Sequence, residues 1–145
     1  MGEKGRKYYQ NGREHLMDEL LKLDTLVHLQ VVRFRDLYAR NQTRDEGLAG
    51  LCIKDEDVDR EIGKKPKSRG ESHVTALIKQ VDSLREKISE KVENSLKQVI
   101  YLPLYHLAGI FQLTPFELDI VLICLAPELD IKYEKLYAYL QDDVT

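Results

Sequence analysis

Two long stretches of this chain repeat their apolar residues every three or four positions, which commits the polypeptide to helices. In the first, residues 11–41, Leu16, Leu20, Leu23, Val27, Val31, Phe34 and Tyr38 recur at helical spacing and so share one face. A second row through Met17 and Leu21, with Leu26, Leu29 and Leu37, broadens that face. At about 1.5 Å per residue this is a rod of roughly 45 Å. Its wide apolar surface predicts more than one packing neighbour. The second stretch starts near Glu71, with Val74, Leu77, Val81, Leu84, Ile88, Val92, Leu96 and Val99 in near-heptad register, as a coiled-coil seam requires. Lys79, Arg85, Glu86, Glu90, Glu93 and Lys97 fall opposite. The simplest partner is the first helix, antiparallel in the same chain. A coiled coil between chains is the alternative.

The segments between are read from their punctuation. Residues 1–11 are expected to fray. Gly47 and Gly50 break a loop after Asn41. Asp55, Glu56 and Asp57 open a short helix to Ile62, acids first as the helix dipole favours. Residues 63–70 are basic, hold two glycines and a proline and have nothing apolar to bury, so they read as an exposed loop. Pro103 should end or kink the second long helix. Three short helices are predicted after it, at 104–112, 115–125 and 128–141. Thr114, Pro115 and Glu117 carry the signature of a capped helix start with a capping box. Pro127, followed by Glu128 and Asp130, reads as a second start with proline at the first helical position. Tyr133, Leu136, Tyr137 and Leu140 recur at helical spacing. Tyr137 and Tyr139 cannot share a face, so one tyrosine should look outward. No stretch alternates cleanly by twos, and no strand is predicted. The expected fold is all-α. A long antiparallel helical hairpin (1–102, with the short helix and the 63–70 loop) carries a compact, helix-turn-helix-like bundle of short helices (103–145).

The chemistry is one of exclusions. A phosphate cradle needs glycines, then Lys and Ser or Thr. The nearest text, 47–54, places Cys52 where the second glycine belongs and has no Ser or Thr after Lys54. Asp55, Asp57 and Asp59 alternate like a calcium loop, but the sixth position is Arg60 and the twelfth Pro66. His15, His28, His73 and His106 are scattered and none has a metal-ligand neighbour at a useful spacing. No Ser or Cys has a nucleophile context. Catalytic, cofactor-binding and metal residues are therefore assigned to none. Cys52 and Cys124 read as buried thiols, which fits a reducing cytoplasm. No apolar run is long enough to span a membrane. DNA binding by a helix-turn-helix at 104–125 is opposed by charge. Residues 101–145 hold two lysines against seven acids, a net of −5, and phosphates would be repelled.

The run Phe111-x-Leu-Thr-Pro-Phe-Glu-x-Asp, then Leu122-Ile-Cys-Leu-Ala-Pro-Glu-Leu-Asp, Tyr133 and Leu136-Tyr-Ala-Tyr-Leu-Gln-Asp-Asp-Val-Thr, resembles a segment upstream of the ATPase module in bacterial and archaeal AAA+ ATPases. Some of those accompany contractile injection systems, and the segment is described there as a variant winged-helix domain. A weaker similarity covers residues 53–59. The resemblance implies a non-catalytic N-terminal domain, truncated at Thr145 before the ATPase core, that recruits a protein partner or substrate or regulates the adjacent motor. ATP, Mg²⁺ and a hexameric assembly would then belong to the full-length protein. A free-standing helical adaptor or coiled-coil scaffold is the alternative, and a helix-turn-helix DNA-binding regulator the third. Lacking a phosphate cradle, the isolated chain should bind no ATP–Mg²⁺. Isothermal titration checks this, and micromolar binding would contradict it.

Overall fold

The computed structural model describes residues 6–41, 55–62 and 71–141. They form six helices: α1 (Gly12–Asn41), α2 (Asp55–Ile62), α3 (Glu71–Lys97), α4 (Pro103–Phe111), α5 (Pro115–Leu129) and α6 (Lys132–Gln141). No strand occurs among the described residues. The fold is all-α, as expected, with α1 and α3 forming the hairpin. Its antiparallel sense is visible in two contacts. Asp18, early in α1, meets Lys91, late in α3, at 2.7 Å. His28, further along α1, meets His73 near the start of α3, ring centroids 5.7 Å apart. The loop read at 63–70, Cys52 and the text at 47–54 lie outside the described residues.

Helix α1 is buried on two sides, as its wide apolar surface predicts. Leu29 and Val32 pack with Leu77, and Val74 closes that small core against α3. On the other side Leu20, Leu23, Val27 and Val31 meet Val58 of α2, Leu104 of α4, Leu122 and Ala126 of α5, and Tyr133, Leu136 and Tyr139 of α6. Each such side chain contributes about 1.5–3 kcal/mol through burial. The second apolar row behaves differently. Met17, Leu21 and Leu37 are exposed, while His15, Glu19, Lys22 and Thr25 are buried. Spacing marks which residues share a face. It does not say which face the neighbours cover.

On α3, Leu77, Val81 and Ile88 are buried and the six charged residues of the opposite face are exposed. Val99 leaves the seam and is 93% exposed. The helix ends earlier than Pro103 because its last carbonyls are capped from beyond. The Val99 N–H donates to Leu96 O and the Ile100 N–H to Ser95 O, each at 3.0 Å. This is a Schellman arrangement, which places Val99 in the left-handed region at φ 59°. Pro103 does not terminate α3. It sits at the first position of α4, where its missing N–H costs nothing.

The N-terminal segment is also tied down. Tyr9 is buried. Its N–H donates to Ser95 Oγ at 2.8 Å, its hydroxyl to Asp18 Oδ2 at 3.1 Å, and Lys91 Nζ lies 4.9 Å from its ring centroid. Residues 6–11 thus depart from the expected fraying, because one large aromatic ring finds a cleft between α1 and α3. Just beyond it α1 meets α4 so closely that a Cβ on Gly12 would overlap Pro103 Cδ.

Two substitutions test these contacts. Gly12→Ala should destabilise by about 1–3 kcal/mol through that overlap. Val99→Gly should stabilise by about 1 kcal/mol, since it removes a left-handed Cβ clash while losing no packing. Urea denaturation measures both, and the opposite sign for either would contradict the geometry described.

Candidate functional site

The end of the molecule built by α4, α5 and α6 carries the features most suited to function, and it is assembled from recognisable local rules. Thr114 caps α5. Its Oγ1 accepts from the Glu117 N–H at 3.3 Å, and its own N–H donates to Glu117 Oε2 at 2.7 Å. This is the capping box read from the sequence. Hydrogen bonds from the Thr114 N–H and hydroxyl hold the Glu117 carboxyl below its usual pKa.

Pro127 does not start a helix. It lies inside α5, which runs on to Leu129. A proline within a helix leaves the carbonyl four residues earlier without its N–H partner; here that carbonyl belongs to Ile123. The Tyr137 hydroxyl of α6 donates to it at 3.1 Å. Burial, with the neighbouring Cys124 and Asp24 charges, pushes the Tyr137 hydroxyl up to about 12, so it stays a donor. The break comes three residues later. Asp130 Oδ1 accepts from the Lys132 N–H at 2.9 Å and opens α6.

Helix α6 is then held on three sides. Tyr133 donates to Asp24 Oδ1 at 2.6 Å. Burial, then that bond and the Asp24 charge, push its hydroxyl far above the usual range. Lys132 pairs with Asp24 at 3.1 Å and Lys135 with Glu61 of α2 at 2.9 Å. Arg35 donates to the Tyr139 hydroxyl at 3.0 Å and to Asp59 at 2.6 Å. None of the three tyrosines looks outward: Tyr133 and Tyr139 are buried and Tyr137 half-buried, because α1, α2 and α5 all pack on α6. Asp59, read against a calcium loop, is committed to Arg35.

A buried charge cluster joins α1, α3 and α5. Lys22 of α1 is buried with its Nζ 2.6 Å from Glu19 Oε2 and 2.9 Å from Asp119 Oδ1 of α5. His15 Nε2 lies 3.5 Å from Glu19 Oε1, and Arg85 of α3 reaches Asp119 at 3.4 Å. Burial pushes the Glu19 carboxyl up, but hydrogen bonds and charge from His15 and Lys22 outweigh it and hold the carboxyl below its usual range. Three helices converge on this cluster. Alternating charge at helical spacing on α1 was its only trace in the sequence, and it reads equally as a solvated face.

With Leu122 and Ala126 packed inward and Asp119 latched to Lys22, α5 turns Phe116, Ile120 and Ile123 to solvent, 73%, 43% and 42% exposed. Ile110 and Phe111 at the end of α4 are also exposed. Cys124 lies on the exposed side of α5 as a free thiol, against the expectation of burial, because the inward positions of α5 are taken by leucines and alanine. No Lys or Arg occurs between Lys97 and Lys132, whereas Glu117, Asp119, Glu128 and Asp130 do. Exposed apolar surface is a general mark of protein, membrane or ligand contact, and neither α4 nor α5 carries a Lys or Arg to complement phosphate. Of the other histidines, His28 meets His73 ring to ring and His106 stacks on Tyr101, centroids 4.5 Å apart. Among the described residues no group of three or more His, Cys, Asp or Glu side chains could hold a metal ion, and no helix is long and apolar enough to cross a membrane.

Over residues 1–145 the chain matches the family model described as winged helix domain, variant. No curated protein matches it, and no solved structure matches it.

Because its folded pKa is depressed, Glu19 contributes stability that is present above its ordinary pKa of 4.5 and is lost as pH falls through the folded value. Glu19→Gln should therefore cost about 1–3 kcal/mol at neutral pH, and the gap from the parent chain should close below pH 4.5. Denaturation at stepped pH measures it. A gap that widens in acid would contradict the assignment.

Proposed function

The chain belongs to the variant winged helix domain family, and on that premise we propose that it is a non-catalytic protein-binding module, the N-terminal accessory domain of an AAA+ ATPase. In this role it recruits a protein partner or substrate to the adjacent motor, or regulates that motor. The observation that carries the reading is the outward side of α4 and α5, where Ile110, Phe111, Phe116, Ile120 and Ile123 are exposed on helices that carry no Lys or Arg of their own. A helix reading DNA in the second position of a helix-turn-helix needs cationic and amide side chains for phosphates and base edges. Helix α5 has none, and its Asp119 is already bound to Lys22. Large apolar side chains held at the surface of a well-capped helix suit a protein partner instead.

The resemblance of residues 111–145 to the segment preceding the ATPase core supplies the motor context. ATP and Mg²⁺ would be held by that core and not by this chain. A P-loop downstream of Thr145 in the same reading frame supports the motor reading, whereas a stop codon there favours the free-standing adaptor. In the parent ATPase, deletion of residues 1–145 should leave basal hydrolysis largely intact and abolish recruitment or stimulation by the partner. The measurement is hydrolysis with and without partner, beside a duplex-DNA shift assay of the chain. Tight, salt-sensitive DNA binding, or loss of basal hydrolysis with partner binding preserved, would overturn the proposal.

A further inference from the structure

The outward face of α5 has an edge as well as a surface. At about 100° per residue, Phe116, Ile120 and Ile123 fall within roughly 60° of one another, a single ridge roughly 10 Å long. Glu117 and Glu128 fall about 20° apart on a line some 100° around from Phe116. Both are exposed. The opposite edge of the ridge is closed by the body of the molecule, where Asp119 is latched to Lys22 at 2.9 Å. The helix therefore offers an apolar ridge bordered along one side by carboxylates. Both ends of the ridge are fixed in place. The Thr114–Glu117 box holds its start, and the Tyr137 hydroxyl holds the Ile123 carbonyl at its end. A surface already ordered before contact loses little freedom on binding.

We infer that this face docks a cationic amphipathic helix of a partner protein, its apolar side along Phe116, Ile120 and Ile123 and its lysines or arginines opposite Glu117 and Glu128. The inference rests on the protein-binding reading and names the partner's chemistry. A helix presents side chains at the three- and four-residue spacing that matches a ridge of this form. Its flanking cations complete the charge that the stretch between Lys97 and Lys132 lacks entirely. A second copy of the chain would bring the same two carboxylates, with its Arg85 already paired with Asp119, so like charges would border the contact. Anionic lipid and nucleic acid meet the same repulsion.

The test uses two fluorescent helical peptides with leucines at i, i+3, i+4 and i+7, one flanked by lysines and its twin by glutamates, titrated against the whole chain. The lysine peptide should bind at least about tenfold more tightly than its twin, and its affinity should fall as salt is raised. The double variant Phe116→Ser with Ile120→Ser should weaken that binding at least about tenfold with the melting point unchanged. Glu128→Lys should weaken the lysine peptide and strengthen the glutamate one. Equal affinity for the two peptides, binding of neither, indifference to both variants, or a chain that dimerises through this face in sedimentation would overturn the inference. In the parent protein, recruitment that survives the double serine variant would sink this docking face and leave the protein-binding reading standing. Recruitment that survives deletion of residues 1–145 would sink both.

Discussion

A buried ammonium group is the constraint on which this structure depends. Lys22 sits on the most central helix with a side chain only 8% exposed. Placing such a cation out of water costs several kcal/mol unless carboxylates meet it with good geometry. Glu19, one turn away, supplies one carboxylate from the same helix. The second, Asp119, comes from a helix nearly a hundred residues later. That requirement fixes the rotation of α5 about its own axis. With Asp119 on Lys22 and Leu122 and Ala126 in the core, Phe116, Ile120 and Ile123 are left facing solvent. The apolar ridge thus follows from the charge contact and the core packing together.

The same logic runs through the rest of the bundle. Asp24, two residues on from Lys22, accepts from Tyr133 and Lys132, and Arg35 donates to Tyr139 and Asp59. Lys22, Asp24 and Arg35 of α1 each find a partner on the later helices at hydrogen-bonding distance. The apolar contacts supply most of the free energy, whereas the polar ones select one packing among several of similar burial. Helix α1 therefore works as a spine, with α3 on one side and α2, α5 and α6 on the other.

Much of this architecture was legible in the residues. The three-and-four spacing marked α1 and α3, and Thr114, Pro115 and Glu117 marked the start of α5. Most places where reading failed depend on a partner distant in the chain, whereas Val99 depends on a local cap. Pro127 looked like a helix start because the hydroxyl that replaces its missing N–H lies on Tyr137. Tyr9 looked like part of a frayed end because its cleft is made by Asp18, Lys91 and Ser95. Met17 and Leu21 were exchanged for Glu19 and Lys22 because period alone cannot say which side a neighbour will cover. Val99 kept the seam's spacing but lay past the residue where carbonyl capping ends the helix. The candidate surface was half legible. The absence of Lys and Arg from α4 and α5 was plain in the sequence, but the exposure of the ridge followed from the Lys22–Asp119 contact and the packing of Leu122 and Ala126 together, which were not.

A double-mutant cycle on that contact tests the account most directly. Lys22→Met, Asp119→Asn and the pair together would be compared by equilibrium denaturation at neutral pH. Strong coupling is expected, on the order of 1–3 kcal/mol, with the double variant closer to the parent chain than the single effects would add to. Effects that add within about 0.5 kcal/mol would mean that the two side chains do not meet, and the orientation of α5 described here would be wrong.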